Sequence, residues 1–179
     1  LEFRRVLFRS GRVSCIPSPK GRYVPEANAT ESLPCPIGQV QPKQGAVECV
    51  PVEPGYYAPE RGLAYALPCP EGSYAPEGTK VNTACLDADP GHYVPKPGAT
   101  EQLACAKGTY QPLRGKSTCL PAPKGNYVPN VKAIAYLECP IGEYQPDEGQ
   151  FSCVSVQPGF YAPIRGLSAA VPRSEEHTS

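Results

Sequence analysis

Residues 105–119 read CAKGTYQPLRGKSTC. Gly108 permits a turn that a side chain would forbid. Tyr110 begins a short extended segment with a broad apolar ring and a wet hydroxyl. Pro112 keeps that segment extended and confines it to a sheet edge. Gly115 suits a hairpin turn. The stretch predicts a small β-hairpin flanked by cysteines. One Gly-x-Tyr-x-Pro would mean nothing, so the fold is decided by its recurrence.

The motif recurs along the chain. Nine cysteines stand at 15, 35, 49, 69, 85, 105, 119, 139 and 153. Their gaps alternate between 20 and 14 residues, with one gap of 16, an internal repeat of about 34 residues. The longer half carries the motif at Gly21, Gly55, Gly91, Gly125 and Gly159. The shorter half carries it at Gly72, Gly108 and Gly142, and at Gly38 with Val40 in place of Tyr. An aliphatic residue stands two before the end of each long half: Leu33, Leu67, Leu103, Leu137 and Val171. Tyr and Leu are expected to form a miniature core, one per half-repeat, against the nearby cystine. The rival reading of the Tyr series is a ligand-stacking ladder. Packing is the better reading because small repeats need all the apolar area they have.

The ends do not belong to this pattern. Arg4–Ser10 read RRVLFRS and Arg173–Ser179 read RSEEHTS. Back-translating the first as AGA CGT GTG CTC TTC CGA TCT gives a strand whose reverse complement encodes the second. The oligonucleotide resembles a common sequencing adapter. Residues 1–10 and 173–179 therefore read as translated adapter and are set aside before fold reasoning. The natural segment is 11–172, in units 15–49, 49–85, 85–119, 119–153 and a truncated 153–172. GFYAPIRGLSAAVP, residues 159–172, copies GYYAPERGLAYALP, residues 55–68, so a cysteine is expected at 173.

Of 17 basic residues, setting aside Arg4, Arg5, Arg9 and Arg173 leaves 13; of 17 acidic, setting aside Glu2, Glu175 and Glu176 leaves 14. A net charge of about −1 implies neither nucleic acid nor an acidic membrane surface as partner. The 24 prolines and 17 glycines exclude long helices. Trp and Met are absent. Such a chain cannot build one large core. The expected fold is small, disulfide-rich and mostly irregular, with short β-hairpins in an elongated tandem array. Small-angle scattering of the oxidised segment should show a rod; a radius of gyration near the ~15 Å of a globular chain this long would overturn that expectation.

Other chemistries find no residues. Structural zinc wants close cysteine pairs, and none here is closer than 14 residues. Asp87 and Asp89 form an acidic cluster in one repeat, which reads as a solvated loop rather than a calcium site. His92, the one natural histidine, sits where other copies have Arg22, Tyr56, Asn126 or Phe160, and reads as surface. No phosphate-binding Gly-rich motif appears. No catalytic residue, cofactor or metal is expected, and the chain does not read as an enzyme. Asn28-Ala29-Thr30 is a glycosylation sequon.

CPEGSYAP from Cys69, CPIGEYQP from Cys139 and CAKGTYQP from Cys105 resemble the ephrin-receptor-like cysteine-rich repeat, akin to growth-factor-receptor and tumour-necrosis-factor-receptor modules. The resemblance covers nearly all of 15–172. It implies extracellular, disulfide-stapled, irregular β modules without catalysis. Loop entropy alone does not choose a disulfide register, since 14- and 20-residue loops differ by only ~0.3 kcal/mol. The family has cysteines both six and three before each Gly, and here each junction keeps one of the two. If the lost pair were partners, the retained equivalents are too. The resemblance thus implies Cys35–Cys49, Cys69–Cys85, Cys105–Cys119 and Cys139–Cys153, with Cys15 unpaired by truncation. Cysteine usage points to an oxidising compartment, extracellular or at the cell surface. The expected role is a structural spacer or adhesive stalk within a larger secreted or surface protein. The alternative is a receptor ectodomain contacting a protein or glycan ligand. No membrane span is read in the segment, and more repeats or domains are expected on both sides.

Overall fold

The computed structural model describes residues 16–27, 29–77 and 83–173. Cys15 and Asn28 lie outside them, as do residues 1–10 and 174–179. The described residues form 18 two-residue strands and no helix. The strands pair in sequence order into nine separate antiparallel hairpins. The first joins Arg22–Tyr23 to Leu33–Pro34, the sixth Thr109–Tyr110 to Leu120–Pro121, and the ninth Phe160–Tyr161 to Val171–Pro172. No sheet grows beyond two strands, so a second-strand proline such as Pro34, Pro68 or Pro121 interrupts no ladder.

Each hairpin opens on the same turn. The N–H after the motif glycine donates to the carbonyl three residues back, as in Arg22 to Pro19 (3.2 Å) and Thr109 to Ala106 (3.1 Å). The glycine itself has φ between +76° and +88°, which the third position of a type II turn requires. Its carbonyl then accepts the N–H that follows the second strand: Cys35 to Gly21, Cys105 to Gly91 and Ala122 to Gly108, all at 2.9 Å. Long and short halves thus fold into one hairpin. Gly21, Gly38, Gly55 and Gly72 stand 17 apart (38 − 21 = 17), as do Gly91, Gly108, Gly125, Gly142 and Gly159. The cystines fall in alternate phase on this frame, which is why cysteine spacing shows 34.

Backbone hydrogen bonds join successive hairpins. The motif glycine N–H donates to the residue after Tyr in the next hairpin: Gly21 to Gln41, Gly108 to Val128, Gly125 to Gln145. A second recurring glycine, seven residues on, donates backwards across two hairpins: Gly62 to Cys35, Gly149 to Ala122, Gly166 to Cys139. Where this position is described its glycine has φ near +70°, and in the seventh hairpin it is Lys132, with φ +60°. A side chain in the left-handed region costs about 1–2 kcal/mol, partly offset because glycine has more unfolded freedom to lose. Lys132→Gly is therefore expected to raise stability by about 0.5–1 kcal/mol in a denaturant titration.

The buried apolar residues are small. They are Val24, Ala58, Ala75, Val94, Val128 and Ala162 after the Tyr position, Val40 at it, and Cys35, Cys69, Ala88, Cys105, Ala122 and Cys139 after the second strand. The expected Tyr–Leu core is corrected here. Tyr and Leu do pair across the strands, as Tyr23↔Leu33, Tyr93↔Leu103 and Tyr127↔Leu137. The pairs lie on the outer face: the tyrosines are half-buried, and Leu33, Leu67, Leu103 and Leu137 are exposed by 41–51%. Side chains alternate faces along a strand, and the inner face belongs to the residue after Tyr. Neighbouring backbones approach there too closely for a ring.

Contacts divide the chain into two compact units. One comprises residues up to Leu86 with Lys96–Glu101, and the other Asp87–Pro95 with residues from Gln102 onward.

Candidate functional site

The cystines are Cys35–Cys49, Cys69–Cys85, Cys105–Cys119 and Cys139–Cys153, with Cα–Cα distances of 5.7–5.8 Å, inside the usual range. Each runs from the residue after one second strand to the residue before the second strand of the next hairpin. The first sulfur carrier is buried and the second half-buried. Hairpins are thus stapled in pairs. Between pairs the corresponding positions hold Val52 and Ala66, Ala122 and Tyr136, Val156 and Ala170, or Ala88 and Gln102. Across the second of these junctions Tyr110 and Tyr136 meet edge-to-face, 5.3 Å apart and 77° inclined, a favourable ring geometry.

A set of glutamines does work that the sequence reading did not assign. Gln41, Gln111 and Gln145 follow the Tyr position in three of the four short halves and are 3–5% exposed. Their Nε2 groups donate to the carbonyls of Glu48, Thr118 and Ser152 at 2.6–2.8 Å. Their Oε1 atoms accept from the N–H groups of Lys43, Leu113 and Asp147 at 2.9–3.1 Å. Each side chain therefore braces the loop that the cystine closes. The signal was the Gln-Pro dipeptide of these halves; the fourth has Ala75-Pro76 and a loop two residues longer. Gln145→Ala strands two backbone groups, and about 1–3 kcal/mol of stability is expected to be lost, read as lost exchange protection at Asp147.

The remaining sequence candidates sit on the surface. Asp89 is bound by Gln102, which donates to its Oδ2 at 3.0 Å and accepts its N–H at 2.6 Å, and by Arg114 at 3.2 Å. These contacts occupy the carboxylate that a calcium ion would need. His92 is half-buried with Nδ1 3.3 Å from the Pro90 carbonyl. Among the described residues no three acidic, His or Cys side chains converge as a metal site would require. No helix among them is long and apolar enough to cross a membrane.

Shallow clefts form between hairpins. One of about 270 Å³ is lined by Val40, Pro42, Val50, Glu53, Tyr56 and Tyr65, among others. Its counterpart in the eighth and ninth hairpins, about 310 Å³, is lined by Tyr144, Gln157, Phe160, Ala169 and Ala170. The aromatic ring has changed sides: Val40 takes the place of Tyr144, and Tyr65 that of Ala169. Lys20 donates to the Tyr65 hydroxyl at 2.9 Å while standing 5.3 Å from the ring centroid, so it lies beyond the hydroxyl rather than over the ring face.

No family model matches the chain, and no curated protein is significantly similar to it. Among the described residues, four regularly spaced cystines on nine like hairpins make a tandem cysteine-rich repeat.

Proposed function

We propose that the chain is a spacer or adhesive stalk segment of a larger extracellular or cell-surface protein, built from repeats similar to the ephrin-receptor-like type. The observation that supports this is where the recurring residues are spent. The motif glycines, the buried Val, Ala and Gln column and the cystines all serve hairpin-to-hairpin docking. Cystines in such numbers persist in oxidising compartments and are rare in the cytosol.

The test anchors the oxidised chain to a bead by one end and places an epitope at the other. Inserting one, two and three further copies of 86–119, a 34-residue unit with its own cystine, after Cys119 should raise access of a bulky antibody step by step. Access independent of copy number would overturn the stalk reading. Saturable binding of a defined glycan or protein, lost on substituting residues of one hairpin, would favour the receptor reading instead.

A further inference from the structure

One junction without a cystine carries a pair of phenols. At the four such junctions the place of the second cysteine holds Ala66, Gln102, Tyr136 or Ala170. Tyr136, in the seventh hairpin, meets Tyr110 of the sixth, with ring centroids 5.3 Å apart and planes inclined by 77°. All eleven tyrosines lie among the described residues, and this is the one ring–ring contact there. Backbone bonds hold the two hairpins together: the N–H groups of Gly108 and Gln111 donate to the carbonyls of Val128 and Ala133 at 2.9 and 3.0 Å. Tyr110 is half-buried, while Tyr136 is 42% exposed and open to an oxidant. Competing targets are scarce. Trp and Met are absent, and every described cysteine is already in a cystine. Thiols and thioethers are the usual targets of oxidation, so tyrosine is the most easily oxidised side chain left.

We propose that Tyr110 and Tyr136 are a cross-linking site, joined as dityrosine by a peroxidase using hydrogen peroxide. Each phenol gives up one electron and its hydroxyl proton. One hydrogen peroxide takes both electrons and both protons and leaves as two waters. The two radicals join through a carbon–carbon bond ortho to each hydroxyl. The hydrogens on those carbons then move to oxygen, which restores both phenols. Holding the rings in contact gives each a high effective concentration of the other. Coupling asks the rings to pass from edge-to-face to edge-to-edge, a turn the exposed Tyr136 can make about its side-chain torsions. The bond ties the sixth hairpin to the seventh at a junction that has no cystine, and thiols do not cut it. The inference is independent of the stalk reading, since it rests on the ring contact and on composition.

The test treats the full oxidised chain with horseradish-type peroxidase and limiting hydrogen peroxide, with Cys15→Ser so that thiol chemistry contributes nothing. Peptides are mapped after full reduction and alkylation, so that only a link other than a cystine survives. The main product should join the peptide of Tyr110 to that of Tyr136 within one chain and show dityrosine fluorescence. Because the pair is already in contact, its yield should hold over about a hundredfold dilution. Tyr136→Phe keeps the ring and removes the hydroxyl, and should abolish the link. Tyr93→Phe, at the motif position of the preceding hairpin, should leave it unchanged. Unchanged cystine mapping and exchange protection will show that both variants fold. A chain reduced and alkylated beforehand should lose the selectivity and couple among many tyrosines. Absence of the link in the native chain overturns the proposal, whether its tyrosines stay unreacted, couple elsewhere or couple only between chains. So does a dityrosine yield that Tyr136→Phe leaves unchanged.

Discussion

Reduced with excess dithiothreitol and alkylated, the chain is expected to lose every hairpin together with its cystines. The buried side chains are Val, Ala, Cys, Gln and Ser, with no buried Leu, Ile or aromatic ring among the described residues. Small side chains bury little apolar area, and the hydrophobic term scales with that area. A cystine closing about 15 residues contributes about 3 kcal/mol on the chain-entropy model. Four such loops therefore carry on the order of 12 kcal/mol, as much as the whole stability of a typical domain. Amide exchange at the motif glycines is the measurement. The N–H groups of Gly21, Gly108 and Gly125 are bonded to neighbouring hairpins in the native state, and their protection should vanish on reduction. A chelator alone should leave it unchanged. Protection that survives reduction would show that the backbone ladder holds without its staples.

Gly125→Ala should unfold the hairpins around it, whereas Gly159→Ala should be nearly tolerated, although both occupy the same turn. Both glycines have positive φ, +80° and +87°, and a side chain there costs about 1–2 kcal/mol at either site. The difference lies in what a Cβ meets. At Gly125 it would overlap the backbone carbonyl of Gly166; at Gly159 nothing stands within 4 Å. A backbone carbonyl cannot turn aside like a flexible side chain. The ninth hairpin would have to shift, breaking the Gly166 to Cys139 and Gln145 to Leu167 bonds. We expect a loss of more than about 4 kcal/mol at Gly125, in the range reserved for strain and overpacking, against about 1–2 at Gly159. Local exchange at Gln145 and Gly166 is the readout, because an array of small modules need not unfold in one step. Equal losses at the two positions would show that the close approach carries no energy.

These two experiments also mark where the sequence was legible. The motif glycine and the proline content told of turns, short extended segments and no helix, because both act through local sterics. The inner face was not legible. Tyr and Leu are the large apolar residues, and area arguments put them inside. The face that docks is set instead by how close neighbouring backbones come, as the Gly62 carbonyl does to Gly21, and that distance is a property of assembled hairpins. The glutamine braces were missed for a related reason. Gln41 reads as an exposed polar residue until the loop carbonyl of Glu48 is folded over it. The second glycine of the long halves passed unremarked because Lys132 breaks its pattern, and only the dihedral shows that the backbone conformation is kept there.

The hairpin frame repeats every 17 residues while the staples repeat every 34, and this constrains how such a gene can change length. Excising residues 38–54 would restore the glycine ladder yet remove Cys49, leaving Cys35 and Cys69 only 17 positions apart and in equivalent places, with no partner for Cys35. Excising residues 105–138 would bring Cys139 into the place of Cys105 and keep every pairing intact. Unequal exchange between repeats should therefore leave viable alleles that differ by whole pairs of hairpins. Copy number in this lineage would drift in even steps, counted by sulfur rather than by backbone.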